Sequence, residues 1–506
     1  MLSFQSLIFL IFAPLIASLI ILCPLFPSTD TAVRRFSKWF SVCHFLYAIT
    51  FLLLFQSQNP VLVLEDELKL FSLHWIDTLG ISATFSMDSL SLALVLLTTF
   101  IFFIAFVMSK RTIKKDFKIY YSLMFLLEMC ILGIFCAKDL FIFFLLWELE
   151  LVPMYFLISK WGSVNAKASA MKFLLYTFFG SIFILLGIFT IYFYSYSISG
   201  VLTSNMDMLI TDSNLYPPQI IYFAFICFLI GFGVKLPIVP LHTWLADAHS
   251  DAPTPVSIVL AAILLKTGAY GLLRFNLSLF PDIFLTLAPA LMFFAAVNCI
   301  YASSLAVVQK DIKRLIAFSS ISQMGIFLIG LFSVNYIGLS GAVFQLISHA
   351  IIAAGLFTVA GILYSIYSTR DIDYIHNHLK NSPLFMFVSI PIILAAVGVP
   401  LFSGFIAEFL SFVGGMTSDF GITLPKILTS ISIFTIVLSS AYILKLFHSC
   451  FFGVRDLNFT RDISGHRLNV LIIISVIVLF FGIFPNFLSD IYMPFIDTTV
   501  DMLGVQ

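Results

Sequence analysis

The sequence predicts an all-α, polytopic membrane protein with about fourteen transmembrane helices, two inverted five-helix repeats, and discontinuous helices 7 and 12. Three observations carry that prediction. The composition is that of a chain dissolved in lipid, apolar runs of spanning length recur from end to end, and basic residues gather in every second connection.

Of the 506 residues, 61% are hydrophobic and 10% charged, and the mean hydropathy is +1.08. Soluble domains hold about 45–50% apolar and about 25% charged residues, so the chain reads as a single integral membrane domain, 1–506. A formal net charge of zero argues against nucleic acid as a partner. The seven cysteines lie in or beside apolar runs and form no CxxC pair, which argues against a disulfide framework, an iron–sulfur site or a zinc site. No glycine-rich nucleotide fingerprint is present, so neither cofactor nor metal is expected in this chain. The first apolar run, Leu7 to Phe26, lacks a basic leader and a small-residue cleavage site, and reads as a helix rather than a signal peptide.

Runs of about 20 apolar residues cross about 30 Å of hydrocarbon. They lie near 5–26, 37–56, 88–108, 119–136, 139–158, 169–195, 218–243, 255–276, 282–303, 313–333, 336–366, 384–415, 426–449 and 467–488. Basic residues follow the odd-numbered helices: Arg34, Arg35 and Lys38, then Lys110 to Lys118, Lys160 and Lys167, Lys310 to Arg314, Arg370 and Lys380, and Arg455, Arg461 and Arg467. Connections after even-numbered helices are acidic or neutral, as at Glu65–Glu67, Asp207, Asp212 and Asp419. The positive-inside rule then puts the basic loops in the cytoplasm and both termini on the outer side. The loop "ADAHSDAPTP" after helix 7 is the exception, having no base.

Two helices are interrupted. Helix 7 holds "GFGVKLPIVPLHTW", with Pro237 and Pro240, and helix 12 holds "AAVGVPLFSGFIAEF", with Pro400. Proline removes a backbone donor, and such breaks persist at membrane depth only where protein or water satisfies the freed groups. The two helices are five apart and therefore antiparallel, which matches an inverted repeat: 119–276 against 282–449, flanked by 1–108 and 467–506.

Few charges fall inside these spans: Glu128 in helix 4, Glu148 and Glu150 in helix 5, Lys235 in helix 7, Lys266 in helix 8 and Glu408 in helix 12, with His349 in helix 11. The plain reading is that each pairs statically with a neighbour or snorkels, which suits Lys172 and Lys445 near helix ends. Lys235 and Lys266 sit beyond easy reach of an end. A dry site favours the neutral amine and a nearby carboxylate favours the ammonium, so a movable lysine–carboxylate pair loads and releases a proton. Histidine, with an ordinary pKa of about 6.5, adds a relay group. Glu148 and Glu150 project about 200° apart on a helix and cannot share one pocket, and spacing alone does not choose between them. Pro153 loosens the helix beside them.

The stretches "DLFIFFLLWELELVPMYFLISKWG", "KLPIVPLHTWLADAHSDAPTPVSIVLAAILLKTGAYGLLRF", "QKDIKRLIAFSSISQMG", "SHAIIAAGLF" and "GVPLFSGFIAEF" closely resemble the antiporter-like subunits of respiratory complex I, the proton-translocating NADH:quinone oxidoreductase, and among them the subunit M, or chain 4, family. Resemblance runs from about helix 3 to helix 13; outside it the match is one of hydrophobic pattern. It implies a fourteen-helix subunit with one proton channel, with NAD(H), FMN, iron–sulfur clusters and quinone confined to partner subunits. It implies that Glu148 pairs with Lys235, that Lys266 and His349 relay protons, and that Glu408 is the terminal acid, which sibling subunits replace by lysine. Glu128, His242 and Gln323 are accessory candidates, and Glu150 receives no transport role. Gln323 departs from a histidine frequent in the family, and glutamine cannot titrate. The expected partners are neighbouring antiporter-like subunits and the bilayer, in a bacterial plasma membrane or, in the related photosynthetic complexes, a thylakoid. The alternatives are a subunit of a multi-subunit cation/proton antiporter and a stand-alone transporter of an organic substrate, the latter disfavoured by the spread of the buried charges. A chain ending in the polar tail "DTTVDMLGVQ" also argues against the sibling subunit that carries a long lateral helix.

Overall fold

The computed structural model describes residues 4–27, 29–57, 68–213, 215–374, 382–451 and 465–505. The acidic run Glu65–Glu67 and the bases Lys380, Arg455 and Arg461 lie outside the described residues. Two helices, α1 (Phe4–Leu22) and α2 (Asp30–Ser57), precede a hairpin of β1 (Leu68–Ile76) and β2 (Ile81–Met87). Then come α3 (Ser89–Thr112), α4 (Phe117–Cys136), α5 (Leu140–Leu149), α6 (Leu151–Trp161), α7 (Ala166–Ser199), a short α8 (Met206–Ser213) and α9 (Pro218–Lys235). The middle of the chain forms α10 (Thr243–Asp251), α11 (Thr254–Val259), α12 (Leu265–Gly271), α13 (Pro281–Val308), α14 (Ile312–Phe332) and α15 (Tyr336–Tyr367). The last five helices are α16 (Pro383–Val397), α17 (Ser403–Thr417), α18 (Leu424–Phe451), α19 (His466–Ile483) and α20 (Asn486–Leu503).

Among the described residues, twelve helical segments are long and apolar enough to cross a membrane, with shorter apolar helices at Ser6–Leu22 and Pro383–Val397. Aspartate and asparagine cap several of them: Asp88 accepts from the Ser91 amide at 2.8 Å, Asp139 from Phe141 at 2.9 Å, Asp311 from Lys313 at 2.8 Å and Asn335 from Gly338 at 2.8 Å. Each satisfies backbone donors that the first helical turn leaves open.

The bundle has an inside and an outside, although hydropathy is similar throughout. Every residue in the spanning windows of Thr254–Leu277, α14 and α15 is buried, whereas the α18 and α19 windows bury only 33% and present Phe434, Val437, Val476 and Phe480 outward. Lipid offers apolar side chains no gain from mutual contact, so helix association relies on close packing of small residues. Helices α7 and α9 meet in that way: a Cβ on Gly180 would come 3.1 Å from the Gly231 carbonyl, and one on Gly231 would come 2.8 Å from that of Gly180.

Three elements depart from the sequence reading. The all-helical expectation misses the β1–β2 hairpin; its second strand, ISATFSM, alternates in period two, and Gly80 at φ +59 turns between the strands where a Cβ would strike the Leu202 carbonyl. Helix α2 begins at Asp30, ahead of the predicted 37, with an acid in the first turn where the helix dipole favours it. The polar tail is helical: α20 buries Leu488, Tyr492, Phe495 and Ile496 at helical spacing against the bundle, a pattern too amphipathic to register as an apolar run.

Candidate functional site

The first break in the bundle is built around Lys235, the last residue of α9. The chain between it and α10 gives up its helical hydrogen bonds, and Asn298 of α13 takes them over. Its Oδ1 accepts from the Val239 amide at 2.7 Å and its Nδ2 donates to the Pro237 carbonyl at 3.2 Å. Trp244 Nε1 donates to the Val234 carbonyl at 2.9 Å. Pro237 and Pro240 both lie in this segment, as the sequence places them. The freed groups are thus satisfied by protein, as lipid requires.

Lys235 is buried and its Nζ donates to Glu150 Oε1 in a direct ion pair. The ammonium also stands over the Trp147 ring, 4.4 Å from its centroid. Glu150 is the residue at which α5 gives way to α6, one turn ahead of Pro153. This corrects the expected pairing, which gave Lys235 to Glu148. Glu148 projects to the other side, where the Ser181 hydroxyl of α7 stands beside its carboxylate, and its buried Oε1 has no hydrogen-bond partner. The opposed projection of the two acids is the reason: with the helix turned so that Glu150 meets α9, Glu148 must face α7.

Lys266 belongs to a helix with two wider, i→i+5 bonded stretches, Leu260–Leu264 before it and Leu272–Leu277 after it, irregularities that often mark functional sites. Within the first stretch the Ala261 carbonyl accepts from Lys266 Nζ at 2.8 Å. The same Nζ lies 2.8 Å from His349 Nδ1. A hydrogen bond there needs one donor and one acceptor, so the contact holds a proton between the lysine nitrogen and the imidazole Nδ1. Gly268, two residues on, closes this helix against the first break, since a Cβ there would sit 3.1 Å from Lys235 Cβ.

The second break runs from Gly398 to Phe402, between α16 and α17, and includes Pro400. Glu408, the sixth residue of α17 and buried, accepts from Gln323 Nε2 at 2.9 Å, and Gln323 Oε1 accepts from Gln345 Nε2 at 2.5 Å. Gly398 adopts φ +82, and a Cβ there would strike the Glu408 carboxylate. A narrow cavity of about 10 Å³, space for at most one water, lies between this amide pair and His349; Ser319, Ser320, Gln323 and Gln345 line it together with Ile352 and Leu356. The structure therefore brings together Glu150 with Lys235, Lys266 with His349, and Gln323 with Glu408, with a small void between His349 and Gln323.

Glu128 and His242 stand apart. Glu128 faces α2, where His44 Nδ1 lies 3.0 Å from its Oε1 and His44 Nε2 lies 2.9 Å from the Leu10 carbonyl. Because a carbonyl only accepts, Nε2 carries a hydrogen, and the His44–Glu128 contact holds one further proton. His242, at the end of the first break, meets Tyr301 edge to face and leaves Nδ1 without a partner. The sequence reading missed His44 and also His249, which is buried, stacked at 4.8 Å on Phe357, with neither ring nitrogen partnered in a hydrogen bond. The base-free "ADAHSDAPTP" loop was the available signal for His249.

Residues 137–439 match the family model described as NADH:quinone oxidoreductase/Mrp antiporter, TM. The chain belongs to this family. The NAD(P)H-quinone oxidoreductase chain 4 of the Mesostigma viride chloroplast is 35% identical over 96% of this chain and 94% of its own length. The NADH-quinone oxidoreductase subunit M of Rickettsia prowazekii is 36% identical over 95% and 96%. A chain of respiratory complex I from Thermus thermophilus superimposes with a TM-score of 0.84 at 24% identity, covering 98% of this chain and all of the other. A chain of an archaeal membrane-bound sulfane sulfur reductase does so at 0.82 with 22% identity, covering 98% of each. Family membership thus makes the chain an integral, multi-pass membrane protein, and the likeness to both relatives extends well beyond the motifs legible in the sequence, into the first helices and the C-terminal segment.

Proposed function

We propose that the chain is the proton-translocating membrane subunit of an NADH:quinone-oxidoreductase-type complex, of the subunit M or chain 4 kind. Protons move through its buried acids, lysines and histidine while electrons pass through partner subunits, which hold the NAD(H), FMN, iron–sulfur clusters and quinone. Neighbouring antiporter-like subunits flank it, in a bacterial plasma membrane or a thylakoid, with both termini on the outer side. The reading is supported above all by the succession Glu150–Lys235, Lys266–His349 and Gln323–Glu408, built on two helix breaks in one continuous core.

The segments 119–276 and 282–449 act as inverted halves, each contributing one broken helix. Lys235 has two acids within its field, Glu150 bonded to it and Glu148 with an oxygen left over. The pair is the loading step: Lys235 holds a proton while bonded to Glu150 and passes it on when the pair opens. Glu148 is then the alternative partner that draws the lysine away. Further along, Lys266 hands its proton to His349 Nδ1, and water entering the void beyond carries it past the serine hydroxyls to Glu408. Gln323 does not titrate; it orients the Glu408 carboxylate by donating to it.

The test is Lys235→Met in the native complex, following donor-to-quinone electron transfer and proton uptake together. The reading expects both to fall, in this variant and in E150Q/K235M, which leaves no buried charge unpaired and keeps the complex assembled. Unchanged turnover at an unchanged proton ratio contradicts it, and sodium efflux without any reductant would move the chain to the antiporter branch of the family.

A further inference from the structure

At the end of the bundle where the basic loops gather, α2, α3, α4 and α19 border an open groove of about 320 Å³. It lies outside the stretch matched by the family model. Its cationic side is formed by Arg34, Arg35 and Lys38 from the first turns of α2 and by Lys110 from the last turn of α3. Arg34 is committed within the protein: it pairs with Asp30, donates to the Lys110 and Ile113 carbonyls and packs on Phe117. Asp30 is thereby used up. Arg35, Lys38 and Lys110 have no carboxylate partner among the described residues; Lys38 leans over the Trp39 ring at 5.8 Å. Apolar and aromatic side chains, Trp39, Phe106, Val107 and Tyr121, line the groove beside these cations. Trp39 is 59% exposed, and the α2 window buries only 28% of its residues, so this face opens sideways where a bilayer would lie.

We infer that the groove binds the headgroup of an anionic phospholipid, the phosphate held by Arg35, Lys38 and Lys110 and the glycerol and first methylenes lying against Trp39, Phe106 and Val107. The inference rests on the membrane reading above but not on the proton path. Three unneutralised cations beside an aromatic wall at the end of spanning helices match such a headgroup in both charge and depth. A free anion would need the cations alone, and an acidic protein segment would not need a wall open toward lipid.

The experiment uses the intact complex, delipidated in neutral detergent and offered phosphatidylglycerol or phosphatidylcholine, with lipid retention read by native mass spectrometry. Phosphatidylglycerol is expected to be retained in preference to phosphatidylcholine. In R35Q/K38Q/K110Q its apparent affinity drops on the order of a hundredfold, given about 1 kcal/mol for each base. Brominated phosphatidylglycerol quenches tryptophan emission, and W39F removes most of that quenching. Should the triple variant fail to assemble, K38Q alone is compared with K38R, and only K38R keeps the preference. Equal retention of the two lipids, an unaltered triple variant, or full displacement by millimolar inorganic phosphate overturns the inference. So does an empty groove in the wild-type complex, as a neighbouring subunit covering it would produce. None of these outcomes touches the proton-transfer reading, which is judged on pumping.

Discussion

Lys235 donates to Glu150, and Glu148, two residues away on the same stretch of helix, turns its carboxylate toward Ser181 instead. One lysine therefore sits between an acid that holds it and an acid that does not, and the two can be separated by mutation. Glu150→Gln strands a buried ammonium, a change that typically costs about 3–5 kcal/mol. We expect a lower melting temperature or poor assembly, largely restored in the E150Q/K235M double variant, with pumping absent from both. Glu148→Gln removes no bond to Lys235; it is expected to leave assembly intact and slow turnover. Thermal melts and pumping assays on the four proteins check this.

Gln323 supplies a hydrogen-bond donor to Glu408 and an acceptor to Gln345. Gln323→Leu takes the side-chain donor away from the buried Glu408 carboxylate, a loss of about 1–3 kcal/mol, while Gln345 keeps its bond to the residue-323 carbonyl at 3.2 Å. Stability and the proton ratio should both fall, and Gln323→His, which keeps a donor and adds a titratable ring, should recover the ratio. Recovery of stability without recovery of the ratio would show that glutamine at this position does more than orient the acid.

Gly398 carries φ +82 and lies against the Glu408 carboxylate. Gly398→Ala adds backbone strain of about 1–3 kcal/mol and displaces the acid. Loss of pumping with only a modest drop in melting temperature is the expected result, and a variant at Gly421, also at positive φ but with open space around it, should pump normally.

His44 and Glu128 form a closed pair away from the axis. His44→Phe strands a buried carboxylate and should destabilise the complex, whereas Glu128→Gln retains a hydrogen bond to the ring and should be mild. A double-mutant cycle on melting temperature measures their coupling, and near-normal proton ratios in E128Q would mark the pair as structural.

Much of this arrangement is legible in the sequence because its signals stand against an apolar background. Prolines 237, 240 and 400 mark both breaks, and Lys235, Lys266, His349 and Glu408 are conspicuous as charges at spanning depth. Direction is another matter. Whether Glu148 or Glu150 meets Lys235 depends on the rotation of one helix about its axis, which packing decides and spacing does not. The partner of Glu128 was hidden for a related reason: His44 lies in α2, distant in sequence, and only the packing of the first helices brings it to the acid. The hairpin and α20 escaped because period-two and amphipathic patterns are weak beside runs of twenty apolar residues.

The central claim is that protons cross between the two halves of the bundle at Lys266 and His349, whose nitrogens lie 2.8 Å apart. The most direct measurement is the number of protons moved per quinone reduced, in proteoliposomes holding the complex with Lys266→Met or His349→Leu. The account predicts that assembly persists and that the ratio drops, or turnover stops, in both variants. A wild-type ratio at wild-type turnover in both would contradict it.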